Sequence, residues 1–407
     1  MPLTSFRSLP VLALLVLALF PAPARAQHRL CDPGAEDCRR ILIDHIRAEK
    51  VGLDVAFWFM EDSWIASEVI NKHKSGVPVR VLMDTEANSP NPLNADRLAE
   101  LAAAKIPMRE RIAGGILHWK MMLFAGQNIV EFSAANYSSD AWVYSGEPYS
   151  NYTDEVILFT SDASIVDSFR TKFDDLWMDT SYYRDYANVV NRARVYGTFP
   201  IDSRLNFVPS EPHAPRAVEL YSREPQQIDV IMYRITDSRY ADAMIDAVRR
   251  GVRVRLLTEP KQYRDPLRQY HSYNVDRMYV AGVEIRHRAH AGLNHQKSVL
   301  LRGLQTAVFG SSNWSSASSD SQEEHNLFTD DEVIFDWLSA QFDRKWNNLA
   351  PVAESAPFAP LPPDVPISPS PASGSTGVDS DTIELQWYPG FWAHTYDVYL
   401  GTSPSNL

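Results

Sequence analysis

Cysteine is nearly absent from this chain of 407 residues: Cys31 and Cys38 are the only two. With no neighbouring Cys or His to complete a second ligand pair, their spacing does not suggest a cysteine-based metal site. In an oxidising compartment the two can instead pair across a short loop. Long apolar runs are missing after the first 26 residues, and a bilayer span needs about 20 consecutive apolar residues. Basic excess is missing as well, since 39 Lys and Arg face 51 Asp and Glu for a formal net charge of -12. Such a balance disfavours general binding to nucleic acid, where phosphate contacts supply most of the affinity, although a local basic groove can coexist with it.

What is present begins with residues 1–26. Arg7 precedes an apolar run from Leu9 to Phe20, and Ala24-Arg25-Ala26 is a small-x-small cleavage site. The pattern predicts a signal peptide cut before Gln27, and hence a soluble, secreted or periplasmic protein. Export favours a Cys31–Cys38 disulfide. The remaining chain, 45% hydrophobic overall, is long enough to bury one large core or two ordinary ones.

A duplication organises that core. Leu53-Asp54-Val55-Ala56-Phe57-Trp58-Phe59-Met60-Glu61-Asp62 matches Ile228-Asp229-Val230-Ile231-Met232-Tyr233-Arg234-Ile235-Thr236-Asp237 at an offset of 175. The same offset aligns Gly76-Val77-Pro78-Val79-Arg80-Val81-Leu82 with Gly251-Val252-Arg253-Val254-Arg255-Leu256-Leu257. Both pairs read as buried strands, with helical periodicity between them and a Gly closing each helix. Strand, helix, strand in each half predicts an α/β fold with a parallel core and a right-handed crossover. The repeats are assigned to residues 31–180 and 215–350, joined by a proline-containing stretch near residues 180 to 215. A linker is expected over 351–378, where eight prolines fall between Pro351 and Pro371. In 379–407, Thr382 to Trp387 and Tyr396 to Leu400 alternate like strands and resemble the opening of a fibronectin type III module.

The chemistry sits on the repeat. His118-Trp119-Lys120 matches His295-Gln296-Lys297, and Asn136 matches Asn313, both at an offset of 177; after a gap of eight, Glu155 matches Glu324 at 169. One His-x-Lys carries little weight, since about a quarter of an occurrence is expected by chance in this composition. Two, each followed by Asn and Glu, carry much more. On a strand, residues two apart share a face, so His and Lys can address one centre. Two ammonium groups and two carboxamides suit the oxygens of a phosphodiester. One His can attack phosphorus while the other protonates the leaving alcohol, and Glu155 and Glu324 can each orient one imidazole.

These paired motifs resemble the phospholipase D superfamily. The resemblance implies two pseudo-twofold-related α/β/α repeats with the active site at their interface, a phosphohistidine intermediate, hydrolysis by water or transfer to another alcohol, and neither metal nor other cofactor. By analogy His118 is the nucleophile and His295 the acid, with Lys120, Lys297, Asn136, Asn313 and Ser311 around the phosphate. Two departures stand out: Ala125 and Arg302 occupy the positions of the family's motif Asp, and Ser133-Ala134-Ala135-Asn136 lacks a hydroxyl present in Gly310-Ser311-Ser312-Asn313.

Other readings compete. His287, His290 and His295 are spaced as a metal loop could be, but the first half has no counterpart and Arg286 and Arg288 would repel a cation. The eight-residue insertion near Trp142 to Tyr152 offers aromatics to a lipid surface, a base or a sugar, or is an ordinary surface loop. For substrate, phospholipid head groups lead, with peripheral contact to a lipid surface. A metal-independent endonuclease acting on DNA or RNA is the alternative, and a catalytically silent phosphate-binding relative follows. With both motifs in one chain, a monomer is expected.

Overall fold

Leu53-Asp54-Val55-Ala56-Phe57 is buried at every position, as is Ile228-Asp229-Val230-Ile231-Met232. Strands buried on both faces need a covering layer on each side. The computed structural model, which describes residues 26–379, 381–399 and 401, has that arrangement twice. The predicted signal peptide lies outside the described residues except for Ala26. Among the described residues, no helix is long and apolar enough to cross a membrane.

The first half carries β1 (His28–Cys31), β2 (Leu53–Phe57), β3 (Val79–Asp84), β4 (Met108–Arg111), β5 (Lys120–Phe124), β6 (Ile129–Ser133), β7 (Asn151–Asp154), β8 (Ile157–Thr160) and β9 (Tyr183–Ala187). All except β7 form one sheet in the order β1-β8-β6-β5-β2-β3-β4-β9. The second half carries β10 (Leu205–Val208), β11 (Gln227–Met232), β12 (Arg253–Thr258), β13 (Glu284–Arg288), β14 (Ala291–Asn294), β15 (Lys297–Leu301), β16 (Thr306–Gly310), β17 (Glu324–Thr329) and β18 (Ser355–Pro357). Its sheet repeats the pattern as β10-β17-β16-β15-β11-β12-β13-β18.

The expected parallel core is realised only in β2-β3-β4 and β11-β12-β13; every other neighbour in these sheets is antiparallel. The cause is local. Short turns join β5 to β6 and β15 to β16, and a short turn can connect only antiparallel neighbours. The helices Ser63–Lys74 and Ser238–Arg249 make the crossovers between the parallel strands. Asp62 and Asp237 cap their N-termini with side-chain hydrogen bonds, and Gly76 and Gly251 leave them at φ of +92° and +85°.

Helices Ala163–Met178 and Glu332–Asn347 lie between the two sheets. Their Phe169, Phe173, Trp177, Leu338, Phe342 and Trp346 share one apolar core with Trp119, Phe132, Phe207 and Phe309 from both halves. Each sheet packs its outer face on further helices. Five layers result, helix, sheet, helix, sheet, helix.

Both proline-containing stretches hold structure that the composition did not predict. The stretch near residues 180 to 215 contains β9 and β10, which end opposite edges of the two sheets. The expected linker at 351–378 starts as packed chain: β18 pairs with β13, and Phe358 is 7% exposed. Further on, β19 (Ile367–Ser370) pairs with β20 (Gln386–Tyr388). The second strand expected near Tyr396 is not formed among the described residues. This segment instead leans on the second half, with Trp392 Nε1 donating to the Tyr263 carbonyl at 3.0 Å and His394 pairing with Asp276 at 2.7 Å. Cys31 and Cys38 are joined by a disulfide.

The eight-residue insertion is not a loop of exposed aromatics. Trp142 is buried and stacks on Tyr137, while Tyr152 is buried and stacks on His290. The strand β7 at its end pairs in parallel with β14 of the other half. The insertion thus stitches the halves together.

Candidate active site

His118 and His295 each stand just before a strand, with Lys120 and Lys297 as the first residues of β5 and β15. The backbone at each histidine is held by the opposite half: His118 N–H donates to the Glu323 carbonyl at 2.9 Å and His295 N–H to the Asp154 carbonyl at 3.2 Å. The residues following those carbonyls are Glu324 and Glu155. His118 Nδ1 lies 2.8 Å from Glu324 Oε2, and His295 Nδ1 lies 2.6 Å from Glu155 Oε1. The carboxylates therefore cross over, each orienting the imidazole of the other repeat.

Both imidazoles are driven well below their ordinary range, first by burial and then by the nearby lysine charges. Burial pushes Glu155 up to about 8 and raises Glu324 as well. Each His–Glu contact can thus hold one proton between imidazole and carboxyl. With the proton on Nδ1, Nε2 is left as a lone pair; with the imidazole protonated, Nε2–H is a donor.

Lys120 and Lys297 are buried beneath the histidines and do not line the pocket. Each Nζ donates to its own histidine's carbonyl, at 2.7 Å from Lys120 to His118 and in the corresponding contact from Lys297 to His295. Burial lowers both amines, Lys297 to about 7. An anion in the pocket opposes that shift and favours the charged ammonium. Asn136 and Asn313 do line the pocket, and the Oδ1 of each is buried without a partner.

Ser311 departs from its expected role. It is fully buried, its hydroxyl donates to Glu324 Oε2 at 2.5 Å and accepts from His325 N–H at 3.0 Å, and it does not reach the pocket. It supports the carboxylate rather than contacting phosphate. The three histidines considered as a metal loop are separated by function: His290 pairs with Asp154 at 2.9 Å, His287 packs against Tyr263 and Phe358, and His295 serves the pocket.

Arginines inside the parallel strands bind buried strand carboxylates in both halves, and Arg302, at one of the two positions that lack the motif Asp, joins them. Arg80 makes two bonds to Asp54, at 2.7 and 2.9 Å, and one to Asp174 at 2.7 Å. Arg255 does the same with Asp229 and Asp343, and Arg302 Nε joins Asp229 at 2.6 Å.

The pocket above the histidines has a volume of about 700 Å³. Besides the expected residues it is lined by Trp58, Phe59, Asp140, Tyr233, Arg234 and Arg268. Tyr233 stands beside His295 with ring centres 4.9 Å apart. A signal for these existed, because Trp58 and Tyr233 align in the duplicated strands and overrun them into the site. Their apolar neighbours made them read as core.

A family model described as cardiolipin synthase, PLD-like domain, matches residues 42–177 and 220–346. The mitochondrial cardiolipin hydrolase of Xenopus laevis is 29% identical over 126 residues, covering 31% of this chain and 57% of that protein. The protein of the same name from Chlamydomonas reinhardtii is 22% identical over 132 residues, 32% of this chain and 56% of that protein. The chain thus spans a little over half the length of these curated relatives. Among solved structures, the phosphatidylserine synthase of Haemophilus influenzae Rd KW20 superposes with a TM-score of 0.63 at 16% identity, covering 82% of this chain and 87% of that one. The polyphosphate kinase of Porphyromonas gingivalis reaches 0.56 at 14% identity, covering 82% and 49%. These two likenesses concern the fold.

Proposed function

Because the chain belongs to the phospholipase D superfamily, we propose that it is a phosphodiesterase acting on phospholipid head groups through a phosphohistidine intermediate. The observation that carries the reaction type is the pair of crossed His–Glu contacts at the floor of one pocket. His118 Nε2 attacks phosphorus as the P–O bond to the head-group alcohol breaks, and protonated His295 gives its proton to the departing oxygen. His295, now neutral, takes a proton from water, whose oxygen attacks phosphorus and displaces His118. Phosphatidic acid and the free alcohol leave, and both imidazoles return to their starting states. Lys120, Lys297 and the carboxamides of Asn136 and Asn313 favour the charge on the non-bridging oxygens.

Apolar residues near the pocket mouth favour a lipid substrate. Asn91 and Arg268 line the pocket on opposite halves, and next to them in sequence stand Leu93, 53% exposed, Leu267, 88% exposed, and Tyr270, 75% exposed. Lys261 and Arg264 are exposed in the same stretch as Leu267. Apolar side chains among basic ones suit the surface of an anionic bilayer. Arg7, the run Leu9 to Phe20 and the Cys31–Cys38 disulfide favour a secreted or periplasmic setting.

The test is hydrolysis by the chain from Gln27 onward in excess chelator, against phosphatidylcholine vesicles, phosphatidylethanolamine vesicles, single-stranded DNA and RNA. Release of choline or ethanolamine without nucleic-acid cleavage is expected, with loss of that release in His118→Ala. Cleavage of nucleic acid alone would assign the endonuclease function instead, and full activity in His118→Ala would overturn the mechanism.

A further inference from the structure

The pocket is nearly symmetric at its floor and asymmetric at its walls. The strand offset that equates Trp58 with Tyr233 equates Phe59 with Arg234, so an apolar side chain on one wall faces a guanidinium on the other. Arg234 is half-buried, its Nε donates to the neutral Gln262 side chain at 3.0 Å, and no carboxylate pairs with it among the described residues. A partly desolvated cation without an anionic partner is costly to hold, and the cost falls when an anion arrives. Its charge reaches the reacting centre, where it helps depress both His118 and His295.

Arg268 lines the same wall. Its nearest acidic group is Asp265, 3.7 Å from Nε, and its side chain is 41% exposed. Across the pocket the charge reverses, since Asp140 lines the first-half wall and accepts a hydrogen bond from Thr153 at 3.1 Å. A cavity of about 700 Å³ holds much more than one phosphoryl group. The wall charges therefore direct an additional anion toward the second half.

We propose that Arg234 and Arg268 form a second anion subsite, which takes a phosphate or carboxylate carried by the leaving group of the substrate. The subsite itself stands on the pocket walls; its assignment to the leaving group rests on the phosphodiesterase reading above. With His118 attacking in line, the departing alcohol lies on the His295 side, where Tyr233 and Arg234 follow one another in the chain. Arginine suits this task because its planar fork can give two parallel hydrogen bonds to phosphate or carboxylate oxygens.

Calorimetric titration of the chain from Gln27 onward tests the subsite without turnover, using glycerol 1-phosphate and glycerol 1,3-bisphosphate at physiological ionic strength. The bisphosphate is expected to bind about tenfold or more tightly, as a gained charge-assisted contact implies. Arg234→Gln and Arg268→Gln should each reduce that preference. Arg268 is exposed enough that its variant should fold even if Arg234→Gln does not, and thermal unfolding checks both. Equal affinity for the two ligands in the parent protein, or an undiminished preference in the folded variants, overturns the subsite. In vesicles, the ratio of kcat/KM for phosphatidylserine to that for phosphatidylcholine should fall in the same variants. An unchanged ratio beside an altered titration would remove the leaving-group assignment and keep the subsite. A protein that shows the bisphosphate preference yet hydrolyses neither lipid would overturn the hydrolytic reading alone.

Discussion

At the scale of residues, His118 and His295 occupy equivalent positions but have different support. Glu324, which serves His118, also receives the Ser311 hydroxyl, and Ala134 stands at the matching position of the first half, so Glu155 has no such donor. Each glutamate leaves one oxygen buried without a partner and is raised by burial, Glu155 to about 8, so the Ser311 hydroxyl is what distinguishes them. A carboxylate given an extra donor holds negative charge more easily, which keeps a proton on His118 Nδ1 and leaves Nε2 free to attack. The difference favours His118 as nucleophile and His295 as acid. The order has a kinetic signature. Followed as single-turnover release of the leaving group, so that the later water attack assisted by His295 does not enter, His295→Ala should cost about 10²- to 10⁴-fold with an alkyl leaving group and far less with 4-nitrophenolate, which departs without a proton. His118→Ala should abolish both reactions. Equal losses with the two leaving groups in His295→Ala would reverse or remove the assignment.

At the scale of elements, the strands that carry the site are tied down by buried charge. Asp54, Arg80 and Asp174 form one triad and Asp229, Arg255 and Asp343 the other, linking two parallel strands to a helix of the central layer. Asp229 is 1% exposed and serves two guanidinium groups, because Arg302 also binds it; Asp54 serves Arg80 and the Tyr196 hydroxyl. Removing one partner of a buried ion pair costs about 3–5 kcal/mol. Asp229→Ala should therefore lower the urea midpoint markedly, and by more than Asp54→Ala, because two cations lose their shared carboxylate. Equal midpoints in the two variants would show that Arg302 contributes nothing there. The triads were partly legible in the sequence, since Asp54 aligns with Asp229 and Arg80 with Arg255 inside the strands used to find the repeat. Their pairing was not legible, because an alternating run reports burial on a face and not which charges meet across it. The edge strands β9 and β18 were hidden for a different reason. Each is short, β18 lies among prolines, and both become strands only because an open sheet edge offers them partners.

At the scale of the whole molecule, the duplication made one shared site readable, but not the crossing of the glutamates. The repeat is equally satisfied if each Glu serves its own His or the other, and only the mutual docking of the sheets decides. That docking is held by charge close to the site. Lys345 of the second half pairs with Asp154 of the first, Arg344 with Asp32 at 2.8 Å, and Arg111 with Glu323 at 2.7 Å. Asp154 is fully buried and, despite burial acting to raise it, the Lys345 charge and the His290 contact hold it below its ordinary value of 3.8; Asp32 is held down likewise beside Lys345 and Arg344. A carboxyl depressed on folding stabilises the fold fully above its unfolded value, and that contribution is lost as pH falls toward the folded one. The window therefore opens just below about pH 4. Glu155 and Glu131 shift the opposite way, each to about 8, so their contribution is complete below 4.5 and is lost as pH rises above it. The two sets separate on the pH axis. Asp154→Asn should reduce stability most at about pH 6, where the parent protein has its full Asp154–Lys345 contribution, and the gap between the two proteins should narrow by about pH 2. Urea midpoints measured at those two pH values decide it: a gap that stays constant would mean that Asp154 stabilises the docked halves by packing rather than by charge.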